Sequence, residues 1–273
     1  MSDYLSRSKA YKGYHFSVLS QEMLDYLHQR GKEMLQCIVS IFSQNDIRYF
    51  CCGGTLLGAA TTGKFIPWDD DIDLCILETD YDKALQLLEK ELPDTMVLQW
   101  KSSEPKYFHG WAKIRDKKSH VKPDIPTYKY NGIWADLYPV KKCKSNETDY
   151  LIKKEHRDYL ERRLKANGIT PEEFTKRVNE SKLTEEDLQN ELNHIKQDES
   201  KTVYMICSAS KIVLDEDWVK EKKNDSTLSF EGMKVYTFCN YEKYLERHYG
   251  SNYMILPPDE KRRVGINRVD IIK

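Results

Sequence analysis

Apolar residues recur along this chain at two spacings. From Ser20 to about Ser43, Met23, Leu24, Leu27, Met34, Leu35, Ile38, Val39 and Phe42 fall three and four positions apart, which predicts an amphipathic helix with Ser20 as its cap. Gly31 weakens the middle of that helix, and the stripe itself reads as core packing. After an Asn45-Asp46 turn, Arg48 to Cys52 reads as a short strand, and the residues after Gly53-Gly54-Thr55 read as a second helix capped by Thr55. Asp71 then opens a strand into Leu74-Cys75-Ile76-Leu77, whose period of two puts Asp71 and Asp73 on one face and Ile72 and Leu74 on the other. Tyr81 to Leu92 is a further amphipathic helix, stopped by Pro93, and Met96 to Trp100 a further strand. Alternation of this kind predicts an α/β (α+β) architecture, a mixed sheet flanked by helices.

Tyr107 to Lys118 holds a strand with Lys113 and Arg115 on one face, opposite Ala112 and Ile114. The strand over Gly132 to Pro139 puts Trp134, Asp136 and Tyr138 on one face, and Lys141 to Lys144 reads as a basic turn. Three polar helices follow, over Asp149–Asn167, Pro171–Asn179 and Thr184–Lys196, with Pro171 at a first helical position and Thr184 as a cap. Their apolar residues are sparse, which predicts a helical lobe with one thin buried face. Val203 to Leu214 fits a strand or a buried helix equally well. A hairpin turning at Glu231-Gly232 and a helix ending at Gly250 complete the pattern. Residues 1–19 are aromatic and basic without periodicity and receive no role. With no linker or repeat, the chain divides into a core over 1–145, a helical lobe over 146–215, and a C-terminal hairpin and helix over 216–273 that pack back on the core.

Composition narrows the function. The 43 basic and 44 acidic residues nearly cancel, so no global field marks a nucleic-acid binder. No signal-peptide core or membrane-length apolar run is present, which predicts a cytoplasmic protein. The seven cysteines lack zinc spacing and read as buried thiols. The basic cluster Lys153, Lys154, Arg157, Arg162, Arg163 and Lys165 reads first as a solvated face, and second as a contact for the inner face of an anionic membrane or for a lipid-linked acceptor.

The candidate chemistry lies in Cys51 to Ile76. Gly53, Gly54 and Thr55 would let backbone N–H groups at a helix start approach a phosphate. Two carboxylates on one strand face repel each other and cost desolvation energy, so Asp71 and Asp73 call for a cation, and hard oxygen ligands suit Mg2+ or Mn2+. Asp136, an acid within an apolar strand, reads alone as a buried hydrogen-bonding residue and beside the pair as a third ligand. Lys113 and Arg115 would balance a diphosphate, or else form an ordinary exposed strand face.

Gly-Gly-Thr-Leu-Leu-Gly-Ala at 53–59 and Gly-Lys-Phe-Ile-Pro-Trp-Asp-Asp-Asp-Ile-Asp at 63–73 resemble the signature of the LicD/fukutin family, within the nucleotidyltransferase-fold superfamily. Lys-Ile-Arg-Asp-Lys at 113–117, the Gly132 to Pro139 element and the Tyr249 to Pro258 segment resemble it too. The resemblance implies a nucleotidyltransferase-like catalytic core, with Asp71, Asp73 and Asp136 as metal ligands and catalytic groups, Asp136 serving as third ligand or general base. It implies transfer of phosphocholine from CDP-choline to a sugar hydroxyl of a cell-surface glycan precursor (teichoic acid, capsule or lipopolysaccharide), releasing CMP. Ribitol phosphate, glycerol phosphate or phosphoethanolamine from another CDP-linked donor is the alternative, and a metal-dependent glycosyltransferase using a nucleotide sugar is the rival. Eukaryotic relatives sit behind a membrane anchor, so a chain without one resembles the bacterial, cytosolic members. A choline ammonium would want aromatic faces, for which Trp68, Trp111, Trp134 and Tyr138 are candidates, each also readable as core.

Overall fold

The first helix, α1 (Gln21–Gln44), begins where the Ser20 side chain accepts the Met23 amide, as its sequence predicts. In this computed structural model residues 20–121, 128–195, 200–208, 212–219, 226–255 and 269–271 are described. The aromatic arm at 1–19 and the Leu256-Pro257-Pro258 end of the C-terminal motif lie outside them. Gly31 is buried in α1, and a methyl group there would press on Phe65 at 2.9 Å, so the glycine admits a close approach.

Strand β1 (Tyr49–Cys51) leads to α2 (Gly53–Thr61), then β2 (Ile72–Leu77), α3 (Glu78–Glu91), β3 (Met96–Gln99), β4 (Ala112–Asp116), β5 (Ser119–Val121) and β6 (Trp134–Lys144). The main sheet runs β1-β2-β6-β4-β3. Among the described residues its one parallel pair is β2 with β6, and β1, β3 and β4 are antiparallel to their neighbours. Pleating sorts the side chains. Ile72, Leu74 and Ile76, with Ala135, Leu137, Ala112 and Ile114, are buried in one core with Met34, Leu35, Ile38 and Phe42 of α1 and Ala84, Leu85 and Leu88 of α3. Asp116 sits on that helix-covered face, where Arg30 of α1 donates to it at 2.6 Å and the Ser119 hydroxyl at 2.6 Å.

Two expectations change here. The segment Lys141–Lys144 is not a turn: β6 runs through it, because Val140–Lys144 pairs antiparallel with β7 (Thr202–Ile206). Lys142 and Lys144 point to solvent, so the polarity of the segment reflects one wet strand face. Val203 to Leu214, left between strand and helix, forms β7 and then β8 (Ile212–Asp215), so this stretch extends the sheet rather than the helical lobe.

Between β6 and β7 lie α4 (Thr148–Lys165), α5 (Pro171–Glu180) and α6 (Glu185–Asn193). Thr170 caps α5 ahead of Pro171, and Thr184 with Asp187 forms a capping box on α6. Their buried face is the thin one the sequence predicts, centred on Leu160, Val178 and Leu183. The basic cluster of α4 is not a uniform cationic face. Lys153 pairs with Glu191, Lys154 with Asp158 and Arg157 with Glu161, while Arg162 and Arg163 donate to backbone oxygens.

The hairpin of β9 (Ser226–Phe230) and β10 (Met233–Thr237) turns at Glu231-Gly232, as predicted. It is followed by α7 (Tyr241–Tyr249), and β11 (Val269–Ile271) pairs with β5. Among the described residues no helix is long and apolar enough to cross a membrane.

Candidate active site

The other face of the sheet collects the chemistry. In the strand register Asp73 of β2 lies beside Asp136 of β6, and Asp136 beside Lys113 of β4. Period-two pleating puts all three on the side away from α1 and α3. Asp71 stands just before β2, and one carboxylate oxygen from each of Asp71, Asp73 and Asp136 lies within 4.8 Å of the others.

Burial, then the charge of Asp136, pushes Asp73 up to about 7, while Tyr138, Gly54 and Lys113 pull it down. Burial, then Asp73, raises Asp71 well above the usual carboxylate range, and Asp69 is raised by the same two causes. Carboxylates that raise one another in this way could hold a hard divalent cation, which would relieve their repulsion. Asp69 was not singled out from the sequence. Its Oδ2 is buried without a hydrogen-bond partner, and it joins a second grouping with Asp70 and Asp71.

Three donors converge on Asp136. Lys113 Nζ and Trp111 Nε1 donate to Oδ1 at 2.5 and 2.6 Å, and Trp134 Nε1 donates to Oδ2 at 3.0 Å. Lys113 also lies over both indoles, 4.8 Å from the Trp134 centroid and 5.8 Å from that of Trp111. Desolvation lowers the pKa of Lys113 and of Arg115, so both are buried cations rather than an exposed strand face. Arg115 Nε donates to Gln99, its Nη1 donates to the Gly132 carbonyl at 2.9 Å, and the guanidinium lies 5.0 Å from the Trp134 centroid. Trp134, expected to face a choline, therefore already carries two cations of the protein. Tyr138 donates to Asp73 Oδ1 at 3.1 Å and packs 5.1 Å from Trp111. Trp68 is half-buried on the loop leading into Asp69.

The glycine turn differs from its predicted form. α2 begins at Gly53 with Cys52 in the cap position, so Thr55 is not the cap. Thr55 is fully buried, and its hydroxyl accepts the Asp73 amide at 2.9 Å. Gly54 N donates to Asp73 Oδ2 at 3.2 Å, and Gly53 N donates to the Tyr244 hydroxyl at 3.0 Å. The turn needs glycine twice. Gly53 has φ of +52°, and a methyl group on Gly53 or Gly54 would overlap the carboxylate of Asp73 or Asp69. Gly54 and Thr55 thus hold Asp73 directly, a link invisible in the one-dimensional motif.

The acidic loop is clamped from both sides. His28 of α1 stacks on Phe65, with centroids 4.5 Å apart, and meets the Asp69 carbonyl at 2.9 Å. Glu231 of the hairpin accepts the Phe65 amide at 3.1 Å.

A glycine-led helix is thus set against a strand whose carboxylate lies in register beside another on the neighbouring strand. Residues 46–171 match the family described as LicD/FKTN/FKRP, nucleotidyltransferase domain. That segment is a little under half of the chain, and with the relatives named below it supports membership of the LicD/fukutin family. It is 24% identical to the lipopolysaccharide cholinephosphotransferase LicD of Haemophilus influenzae over 261 residues, covering 88% of this chain and 91% of that protein. It is 33% identical to the human and mouse ribitol 5-phosphate transferase FKRP over 115 residues, covering 38% of this chain and 23% of those proteins.

Proposed function

We propose that the chain transfers phosphocholine from CDP-choline to a sugar hydroxyl of a cell-surface glycan precursor, releasing CMP, with Mg2+ or Mn2+ held by Asp71, Asp73 and Asp136. The observation that carries this reading is the set of three carboxylates with oxygens within 4.8 Å, placed in register beside the buried Lys113. Its support from relatives is the name of the Haemophilus protein, a cholinephosphotransferase, over most of both chains. The FKRP name adds ribitol phosphate as the second group to test.

A divalent cation bound here supplies charge neutralisation of the phosphate oxygens and of the departing nucleotide. The chain's own groups do the remaining work. Lys113 and Arg115 balance the negative charge of the diphosphate from the sheet face. The amides of Gly53 and Gly54, now engaged by Tyr244 and Asp73, are the donors a phosphate would recruit at the start of α2. Trp111, Lys113 and Trp134 fix the Asp136 carboxylate, as third ligand or as the group that takes the proton of the attacking hydroxyl. That hydroxyl attacks the phosphorus bearing choline, and the bond to the CMP oxygen breaks. The reaction is placed in the cytoplasm, where a lipid-linked acceptor would meet the chain at the inner membrane face.

CMP release from CDP-choline, CDP-ethanolamine, CDP-ribitol and CDP-glycerol tests the reading. CDP-choline should be preferred in the presence of Mg2+, and Asp71→Asn or Asp73→Asn should lower turnover at least 100-fold, the scale of losing one strong electrostatic contact to the transition state. Indifference to all four donors, or unchanged turnover in folded Asp73→Asn, overturns it.

A further inference from the structure

The turn of the C-terminal hairpin carries a residue that its backbone disfavours. Phe230 pairs with Met233, and the two residues between them both have positive φ, +52° at Glu231 and +80° at Gly232. A two-residue turn of this kind favours Asn, Asp or Gly at its first position, because an L side chain there brings its Cβ close to the following carbonyl oxygen. Strain of this sort persists where the surrounding structure holds the residue in place.

The hairpin is seated without the Glu231 side chain. Phe230 and Val235 are buried in the main core, and Phe238, just after β10, stacks on Phe50 of β1 at 4.8 Å. What Glu231 touches is the loop that carries the acids. Its backbone N–H donates to the Gly63 carbonyl at 2.8 Å, and its Oε1 accepts the Phe65 amide at 3.1 Å. These two bonds grip the chain where it leaves α2 for Asp69, Asp70 and Asp71.

Phe65 passes the grip on. Its ring lies 4.9 Å from that of Phe230 and stacks at 4.5 Å on His28 of α1, whose ring nitrogen meets the Asp69 carbonyl at 2.9 Å. The Asp69 amide donates to the Ile66 carbonyl at 2.8 Å, which closes the loop on the residue after Phe65. Carboxylates that share a cation must be held to within about 0.5 Å of its geometry, and groups outside the ligand set do that work.

We propose that Glu231 is a positioning residue for the acidic loop. From the hairpin turn it fixes Gly63 to Phe65, and through Phe65 and His28 it sets where Asp69 and Asp71 stand. The proposal rests on reading the carboxylates as a cation-binding, phosphoryl-transfer centre, and it gives the hairpin a part in that centre.

Glu231→Asn separates this role from a structural one. The substitution supplies the Asn-Gly pair that the turn prefers, with a side chain one methylene too short for the Phe65 amide, so Tm should equal or exceed that of the wild type. In the metal-free protein, amide exchange read by mass spectrometry should run about tenfold faster in peptides covering 63–71, the scale of losing one hydrogen bond to a carboxylate, and stay unchanged in α3. Mn2+ titrated by calorimetry should bind about tenfold more weakly or worse. Glu231→Gln keeps an acceptor oxygen at the same reach and should restore both. Should Tm fall in Glu231→Asn, Glu231→Gly relieves the same φ and takes its place. Wild-type exchange over 63–71 overturns the proposal. So does a loosened loop with unchanged Mn2+ affinity, or a loss that Glu231→Gln shares. If the wild type binds no Mn2+ while Glu231→Asn still loosens the loop, the cation reading fails and the hold of Glu231 on the loop stands.

Discussion

Raising the pH should destabilise the metal-free protein, and a divalent cation should reverse the trend. Burial, with Asp136 next, raises Asp73 from 3.8 to about 7. Between those values the folded state keeps a proton that the unfolded chain has released. The stability contributed by that proton is fully present below the lower value and is lost as pH climbs through the upper one. Between pH 5 and 8 about two pKa units of this shift are sampled, each worth 1.36 kcal/mol, or about 2–3 kcal/mol in total. For a chain of this size that lowers Tm by about 4–12 °C. The assay is thermal unfolding in EDTA and in millimolar Mg2+ or Mn2+, for the wild type and for Asp73→Asn. In EDTA the wild-type Tm should fall with pH, and the variant should lose most of that slope. With the cation, which binds the ionised carboxylates, the wild-type slope should flatten or change sign. A metal-free Tm that is level or rises over this range, or an equal slope in Asp73→Asn, would refute the reasoning.

Gly53→Ala places an L side chain at φ of +52° and drives a methyl group into the Asp73 carboxylate, breaking its bond from Gly54. The backbone term is about 1–2 kcal/mol and the charge-assisted hydrogen bond about 1.5–3 kcal/mol. Urea unfolding should show a loss of about 2.5–5 kcal/mol on these terms together with at least tenfold slower CMP release, and wild-type values for both would contradict the geometry. Arg30→Met leaves the buried Asp116 with Ser119 as its remaining side-chain partner. It should cost about 3–5 kcal/mol in urea unfolding, and a loss below about 1 kcal/mol would show that the pair contributes no more than a surface one.

Elements with a local cause were legible in the sequence. Ser20, Thr184 and the Glu231-Gly232 turn carry their structural cause within a few residues, and each stands where its pattern places it. The alternation that set Asp73 against Ile72 and Leu74 put the acid on the right sheet face. What was not legible depends on distant pairing. Lys141–Lys144 looks like a turn until β7 arrives to bond it. The cap assignment to Thr55 failed because α2 starts two residues earlier, on a glycine with positive φ, which frees the Thr55 hydroxyl to bond the Asp73 backbone. Tyr244 enters the site through a tertiary contact, its hydroxyl accepting the Gly53 amide. Trp111, two residues before Lys113, was legible as one of the aromatics beside the predicted site, but its bond to Asp136 was not.

The account depends on a cation bound by the acids of β2 and β6. Crystals grown with Mn2+ and CDP-choline, with data collected at the manganese edge, test this directly. The account predicts an anomalous peak within coordination distance of Asp71, Asp73 and Asp136, bridging to the donor's phosphates. A donor bound elsewhere, or those three carboxylates without manganese between them, would contradict it.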